Sequence, residues 1–393
     1  MSIRIKRHLK LIQDHSLFLF GPRGSGKSTL IQNEFATNSY YINLLDIDTE
    51  ELFIQNPGEL KNIANKLNKK ITHIIIDEIQ KIPKLLDLVH LLIESTDKVF
   101  ILTGSSARKL KYGNANLLAG RAFVYNLHPF TSLELGEGFD LNQILHWGCL
   151  PKIHELDTVE KKTLFLTSYA QTYLKEEIQA EQLVRKLTPF RNFLRVAAQM
   201  NGKIINLSNI SRDVKVEDKT IGEYYSILED TLLGFTLHGF DNSFRKQLRT
   251  KPKFYFFDTG VTRALNRSLG NTLQEETYAY GDAFEHFIIL ECIKLAGYFK
   301  YEYRFSYLKT KDDAEIDLVV DRPGKPILFI EIKSSKQVRE EDLTTYKRLV
   351  KDFKQAEGEC ACEAVCFSRD TYKKQLGDIT VFPWQEGLKE YFC

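Results

Sequence analysis

The sequence predicts an α/β protein: a P-loop domain on a mostly parallel sheet, a helical lid, a winged helix-turn-helix and a last α/β domain. Three observations lead there. Residues 1–130 alternate short apolar strands with helical stretches, the order of a mostly parallel sheet. A phosphate-binding motif, G-x-x-x-x-G-K-[ST], lies between the first strand and the first helix. Beyond it, three helix patterns precede two strands, and a further helix-and-strand series closes the chain.

Length and composition bound the rest. At 393 residues the chain exceeds one compact core and suits several domains. Apolar residues are 43% and charged residues 27%, an ordinary globular balance. The longest apolar stretch, 85–93, is interrupted by Asp87 and His90, and no run approaches the ~20 residues of a membrane helix. With no secretory h-region at the N-terminus, the expected location is the cytoplasm, with no membrane partner. The net charge of +2 decides nothing about partners, because nucleic-acid binding depends on where charge lies. Among six cysteines, Cys360, Cys362 and Cys366 cluster, but no CxxC pair or nearby His completes a zinc set. The expectation there is a half-buried strand.

Taken in order, strands are expected over 16–20, 40–44, 73–76, 98–103 and 121–127. The runs at 74–76 and 99–102 are apolar without alternation, so both faces should be covered. Residues 131–185 read as the helical lid. Helices over 189–200, 208–214 and 219–232, then strands over 233–240 and 254–257, give the winged helix-turn-helix at 186–260. Residues 261–393 form the last α/β domain, and residues 1–130 the P-loop core.

The motif itself is Gly21-Pro22-Arg23-Gly24-Ser25-Gly26-Lys27-Ser28, followed by Thr29. Its glycines let backbone N–H groups turn toward phosphate oxygens, Lys27 reaches the β/γ-phosphates, and the Ser28 hydroxyl binds Mg²⁺. The helix that follows points its positive end at the same phosphates. Ile74-Ile-Ile-Asp77-Glu78 is a buried strand ending in two carboxylates. Asp77 is the expected magnesium ligand and Glu78 the base that orients and deprotonates the attacking water. An acidic helix cap is the structural alternative for this pair. The next strand ends in Thr103-Gly-Ser-Ser106, where Thr103 or Ser105 is the candidate to sense the γ-phosphate, against a simple polar turn. ATP and Mg²⁺ are thus the expected substrate and cofactor, and ATP hydrolysis the expected activity.

The P-loop, the Asp77-Glu78-Ile-Gln80 box, Leu102-Thr-Gly-Ser-Ser106 and Leu118-Ala-Gly-Arg121 together resemble the prokaryotic AAA-superfamily ATPases. More narrowly, the chain is similar to the branch that carries a winged helix and a restriction-endonuclease-like C-terminal domain. The resemblance implies that Arg121 is an arginine finger for a neighbouring subunit's nucleotide, with Arg108 as second candidate. It therefore implies a homo-oligomer, a ring such as a hexamer. A surface salt bridge is the alternative for Arg121. The branch's Gly-Gly-x-Pro turn stands here as Gly148-Cys149-Leu-Pro151.

In the C-terminal third, Glu285 lies in line with Ile288, Ile289, Cys292 and Ala296 on one helix face. A carboxylate there is costly unless something pairs with it. The strands Glu315-Ile-Asp317 and Ile327-Leu-Phe-Ile-Glu331-Ile-Lys333, paired as a hairpin, bring Asp317 nearly opposite Glu331. A divalent metal between them, with Lys333 on the same face, would relieve the repulsion. This resembles the PD-(D/E)XK nuclease pattern, which implies Mg²⁺ on Glu285, Asp317 and Glu331 with Lys333 stabilising charge or helping to activate water. A nuclease-like fold used only for binding is the alternative.

The 181–260 segment carries 13 Lys and Arg against 9 Asp and Glu. Much of this excess is Arg245, Lys246, Arg249, Lys251 and Lys253, between the two expected wing strands, which suits DNA-backbone contacts. The functional expectation is an oligomeric DNA-binding ATPase, a motor or remodeller of duplex or branched DNA. An ATP-gated nuclease and a nucleotide switch controlling a protein partner are its alternatives.

Overall fold

In the computed structural model the described residues are 5–106, 118, 120–173, 187–241, 250–358 and 360–393. They form two compact units, over which the four expected segments are distributed. The first comprises Met1–Phe130, Leu150–Glu155 and Ser226–Leu233; the second comprises Thr131–Cys149, Leu156–Tyr225 and Gly234–Cys393.

The first unit holds β1 (Leu17–Phe20), β2 (Ser39–Asn43), β3 (His73–Asp77), β4 (Val99–Gly104) and β5 (Phe123–Asn126), joined in the order β2-β3-β4-β1-β5. Every pairing is parallel. Helices α1 (Lys27–Glu34), α2 (Ile47–Gln55), α3 (Glu59–Lys66) and α4 (Leu85–Ser95) make the crossovers. The unalternating runs explain the arrangement: Ile74, Ile75 and Ile76, like Phe100, Ile101 and Leu102, are buried on both faces of the sheet. Phe18, Phe20, Phe53, Leu85 and Phe100 anchor one shared core. The register pairs Phe20 with Gly104 and Ile76 with Leu102. The residues just after β1, β3 and β4 are therefore brought to one edge of the sheet, where ligands of parallel α/β sheets collect.

The second unit opens with α5 (Ser132–Leu135) and α6 (Leu141–Trp147). After α7 (Pro151–Glu155), which belongs to the first unit, it continues with α8 (Val159–Ser168). Then come α9 (Leu187–Gln199), α10 (Leu207–Val214) and α11 (Asp218–Asp230), the last of which passes into the first unit from Ser226. The next elements are the antiparallel pair β6 (Gly234–Leu237) and β7 (Lys253–Phe256), followed by α12 (Thr259–Leu265). The long helix α13 (Tyr278–Tyr298) is buried on nearly every side, far beyond the single expected face, and takes Glu291 and Lys294 inside with it. Glu291 is compensated there by the Ser132 N–H at 2.7 Å and hydroxyl at 2.6 Å.

A six-stranded sheet completes the unit: β8 (Arg304–Lys309), β9 (Glu315–Asp321), β10 (Ile327–Lys333), β11 (Cys362–Ser368), β12 (Lys374–Leu376) and β13 (Ile379–Pro383), in the order β12-β13-β11-β10-β9-β8. β8, β9 and β10 run antiparallel; β10, β11 and β13 run parallel. Residues 328–332 of β10 are all buried, Glu331 included, because the strand is central and covered on both faces. The cysteine cluster falls on β11, where Cys362 and Cys366 are buried, while Cys360 is exposed. The β6–β7 pair is fastened to the edge strand β8: the Phe240 N–H donates to the Tyr307 carbonyl at 2.6 Å, and the Tyr307 N–H to His238 at 3.0 Å.

Helix α14 (Thr344–Glu357) covers this sheet and locks its centre through one phenol. Tyr346, 1% exposed, hydrogen-bonds the carbonyls of Phe329 at 2.8 Å and Val365 at 3.0 Å, and accepts from the Val365 N–H at 3.1 Å. Tyr346→Phe leaves those buried groups short of a partner, at a cost of about 1–3 kcal/mol. Urea unfolding should show a lower midpoint at unchanged slope; an unaltered midpoint would remove the phenol from the account.

Candidate functional site

The P-loop residues gather around the carboxyl end of β1. Gly26 has φ +96°, Gly24 φ +76°, and a Cβ at Gly21 would lie 2.3 Å from the Leu127 carbonyl. Only glycine fits this close approach, and the loop it permits caps α1 through Gly26. Gly21, Pro22 and Ser25 are buried, whereas Arg23, Gly24 and Thr29 face solvent. The Lys27 ammonium is folded across the loop, donating to the Gly21 carbonyl at 2.8 Å and to Pro22 at 3.4 Å. The Ser25 hydroxyl is fully buried with no hydrogen-bond partner, an unmet polar group within a loop whose amides suit phosphate.

Asp77, 3% exposed, ends β3 beside this loop. Its carboxylate receives three hydroxyls: Ser28 at 2.8 Å, Tyr41 from the neighbouring β2, and Thr103 from β4. The Ser28–Asp77 pair is the oxygen set that Mg²⁺ favours, so these residues fit the expected cofactor. Glu78 follows in a left-handed conformation, φ 62°, which is uncommon for a non-glycine residue and costs about 1 kcal/mol or more. Its N–H is held by the Thr103 hydroxyl at 3.1 Å, and its carboxylate by Ser105 at 3.2 Å and by the Gln80 amide. Thr103 and Ser105 therefore both touch the carboxylate pair, one on each acid. Tyr41 is the residue sequence reasoning missed. It shares a face of β2 with Asn43, which pairs with Asp77, but that register is set by the sheet and leaves no mark in the residue pattern.

The Arg121 guanidinium is engaged by Glu94, at 2.9 Å through Nε and 2.5 Å through a terminal nitrogen. That is the surface ion pair weighed against the arginine-finger role. Arg108 lies outside the described residues. The Gly148-Cys149 turn is packed on Asp258: the Cys149 N–H donates to its carboxylate at 2.7 Å, and a Cβ at Gly148 would lie 2.0 Å from it.

In the second unit, β9 and β10 pair as expected, with Leu318 opposite Ile330, and the same register sets Asp317 opposite Glu331. The Ile332 N–H donates to Asp317 at 2.7 Å. Lys333 is bound to Glu331 at 2.7 Å. Glu285 accepts from the Tyr255 hydroxyl at 2.8 Å. Two lysines stand among these acids, Lys333 at Glu331 and Lys253 at Glu315 and Glu285. Among the described residues no group of three His, Cys, Asp or Glu side chains is placed to hold a metal ion.

The expected DNA contacts require one correction. Lys253 is not on a solvated loop: it begins β7, is 4% exposed, and its ammonium pairs with Glu315 and, at 3.8 Å, with Glu285. A basic count cannot distinguish a loop lysine from one drawn inward by buried carboxylates. Lys251 is exposed. Arg245, Lys246 and Arg249 lie outside the described residues.

Burial pushes the Glu331 carboxyl up to about 8, with the Asp317 charge adding and Lys333 opposing. Burial likewise lifts Glu285 to about 7, with Asp317 adding and Lys253 and Tyr255 opposing. Both groups bind protons in the fold that the unfolded chain sheds near pH 4.5, so their contribution weakens stability as pH rises through 4.5 to 8. Glu331→Gln should make the unfolding free energy, measured by urea titration, fall less steeply across that window, by at most about 1.4 kcal/mol per pH unit. Identical slopes in the two proteins would contradict the raised Glu331 value.

Three families match successive parts of the chain: an AAA domain over residues 13–136, a domain of unknown function (DUF8612) over 138–274, and a domain of unknown function (DUF4143) over 280–386. Uncharacterized proteins of Mycobacterium bovis and Mycobacterium tuberculosis are each 25% identical over 327 residues, covering 81% of this chain and 70% of the relative. An uncharacterized protein of Haemophilus influenzae is 22% identical over 341 residues, covering 79% of this chain and 80% of that one. Among solved structures, the Aeropyrum pernix ORC1 protein in complex with DNA aligns at a TM-score of 0.23 and 12% identity, over 66% of this chain and 87% of that one. No helix among the described residues is long and apolar enough to cross a membrane. The AAA match falls on the segment whose parallel sheet carries the P-loop, and the protein is an α/β protein with an AAA-type P-loop ATPase domain at residues 13–136.

Proposed function

We propose that the protein is a Mg²⁺-dependent ATPase that works as a homo-oligomer, a ring such as a hexamer, and remodels or moves along duplex or branched DNA. The observation that carries the ATPase chemistry is the Ser28–Asp77 hydrogen bond at the mouth of a P-loop. Bound Mg²⁺ would be held by Ser28 and Asp77 and would offset phosphate charge. Lys27 exchanges its loop carbonyls for phosphate oxygens, the Gly21–Ser28 amides and the positive end of α1 cradle the phosphates, and Thr29 lies at the first turn. Glu78, freed from Gln80 and Ser105, orients the water and takes its proton; Thr103 holds the Glu78 N–H and Asp77 in mutual register. Arg121, released from Glu94, is the residue offered to a neighbouring subunit's nucleotide.

The DNA assignment is supported by the helix-helix-helix-strand-strand order of 187–256 and by the excess of basic residues in 181–260. Lys251 with Arg245, Lys246 and Arg249 are the proposed backbone contacts. The nuclease alternative requires divalent ions at Glu285, Asp317 and Glu331, where Lys253 lies 3.8 Å from Glu285 and Lys333 is bound to Glu331.

Lys27→Ala should abolish ATP binding in a fluorescent-nucleotide titration. Glu78→Gln should bind ATP yet hydrolyse it about 10²–10⁴-fold more slowly. Normal turnover in either variant would refute the site. For the wild type, ATPase rate measured without nucleic acid and with single-stranded, duplex and four-way-junction DNA should rise with one duplex-containing form. A flat rate across all four would transfer the assignment to the partner-controlled switch.

A further inference from the structure

Four carboxylates and three ammonium groups meet where β7, β8, β9, β10 and α13 come together, Lys309 of β8 standing 3.8 Å from Glu315 at the margin. Glu285 comes from α13, Glu315 and Asp317 from β9, and Glu331 from β10. Lys333 is local, two residues along β10 from the Glu331 it binds. Lys253 is not. It arrives from β7, which is not a strand of the six-stranded sheet, and its ammonium lies against Glu315, 3.8 Å from Glu285 and 5.1 Å from the Tyr307 ring centre. Two residues on, Tyr255 donates its hydroxyl to the same Glu285 oxygen at 2.8 Å. One face of β7 thus delivers a cation and an O–H donor to the acids.

A lysine with 5% side-chain exposure is not there by default. Removing an ammonium from water costs several kcal/mol, recovered only by close, well-oriented carboxylates. One oxygen of each acid is accordingly engaged: that of Glu315 by Lys253, that of Glu285 by Tyr255, that of Glu331 by Lys333, and that of Asp317 by the Ile332 N–H. One group remains unmet. The second Glu331 oxygen is buried without a hydrogen-bond partner, so the cluster holds more acceptor capacity than its donors fill. The residues as they stand do not fit the metal that the PD-(D/E)XK pattern implies, yet the acids of that pattern are together.

We propose that Lys253 is a tethered cation standing in place of a divalent metal at the Glu285–Asp317–Glu331 cluster. The cluster is a lysine-locked site: with Lys253 seated it takes no divalent ion, and with that charge removed it becomes a binding site for Mg²⁺ or Mn²⁺. The inference is independent of the ATPase reading.

The test uses the full chain without nucleotide, in an Asp77→Asn background that silences the P-loop ion, with Mn²⁺ binding followed by electron paramagnetic resonance. The Asp77→Asn protein should bind no Mn²⁺ up to millimolar concentration. Adding Lys253→Met should create one site, at least ten-fold tighter, that Glu331→Gln then removes. Lys253→Gln, which keeps an amide donor for Glu315, should behave in the same way and serves if the methionine variant fails to fold. Folding is monitored by circular dichroism and the melting transition. Two results would overturn the proposal: a Mn²⁺ site in the Asp77→Asn protein that depends on Glu331, or a folded Lys253 variant that gains no site.

Discussion

A carboxylate taken out of water must be met by donors or by positive charge, and much of this chain is arranged around that requirement. Asp77 is met by three hydroxyls from three elements, which fixes β2, β4 and α1 against β3 at the sheet edge. Glu291, at 0% exposure, is met by the N–H and hydroxyl of Ser132 with Lys294 beside it. Asp258 is met by the Cys149 N–H and caps α12 through the Val261 N–H at 3.0 Å. Glu285, Asp317 and Glu331 draw in Lys253 and Lys333. The differences are chemical. Hydroxyls meet Asp77 with neutral donors, whereas a lysine commits a fixed charge.

The two units differ in how closely function is tied to backbone geometry. At the P-loop, Gly21, Gly24 and Gly26 shape the binding surface from main chain, so side-chain replacement there is refused by sterics. Glu78 extends that logic to a residue with a side chain: its backbone is left-handed, and its carboxylate is held by Gln80 and Ser105. In the second unit the candidate chemistry rests on side chains from four elements, and their relation depends on register and on the placement of β7. Such a cluster can keep its fold while its charges are rearranged.

The legibility of the sequence follows the same division. The five strands were readable because 74–76 and 99–102 are short, unalternating apolar runs bounded by turn residues. The P-loop was readable because its glycines are demanded locally. The Asp317–Glu331 pairing was also within reach, since a short turn between two apolar strands fixes an antiparallel register. What escaped depends on contacts distant in sequence. Tyr41 meets Asp77 only through parallel pairing of β2 and β3, 36 residues apart. Lys253, one of five basic residues close together, is distinguished from its neighbours only by acids 32 and 62 positions later. Helix α13 read as one-sided because Glu291 and Lys294 look like solvent residues until Ser132 is found beside them.

The attachment of 238–240 to Tyr307 bears on self-association. A sheet's outermost strands carry unsatisfied N–H and C=O groups that can template pairing with another molecule. Here the outward N–H and C=O of Tyr307, within β8, are occupied by His238 and Phe240, and the opposite edge, β12, is three residues long and opens with Lys374. The six-stranded sheet is blunted at both ends, so assembly of chains by strand addition is disfavoured along either margin of it. At this sheet, association between copies is therefore left to side-chain surfaces, which can be specific and reversible, and not to continued backbone pairing.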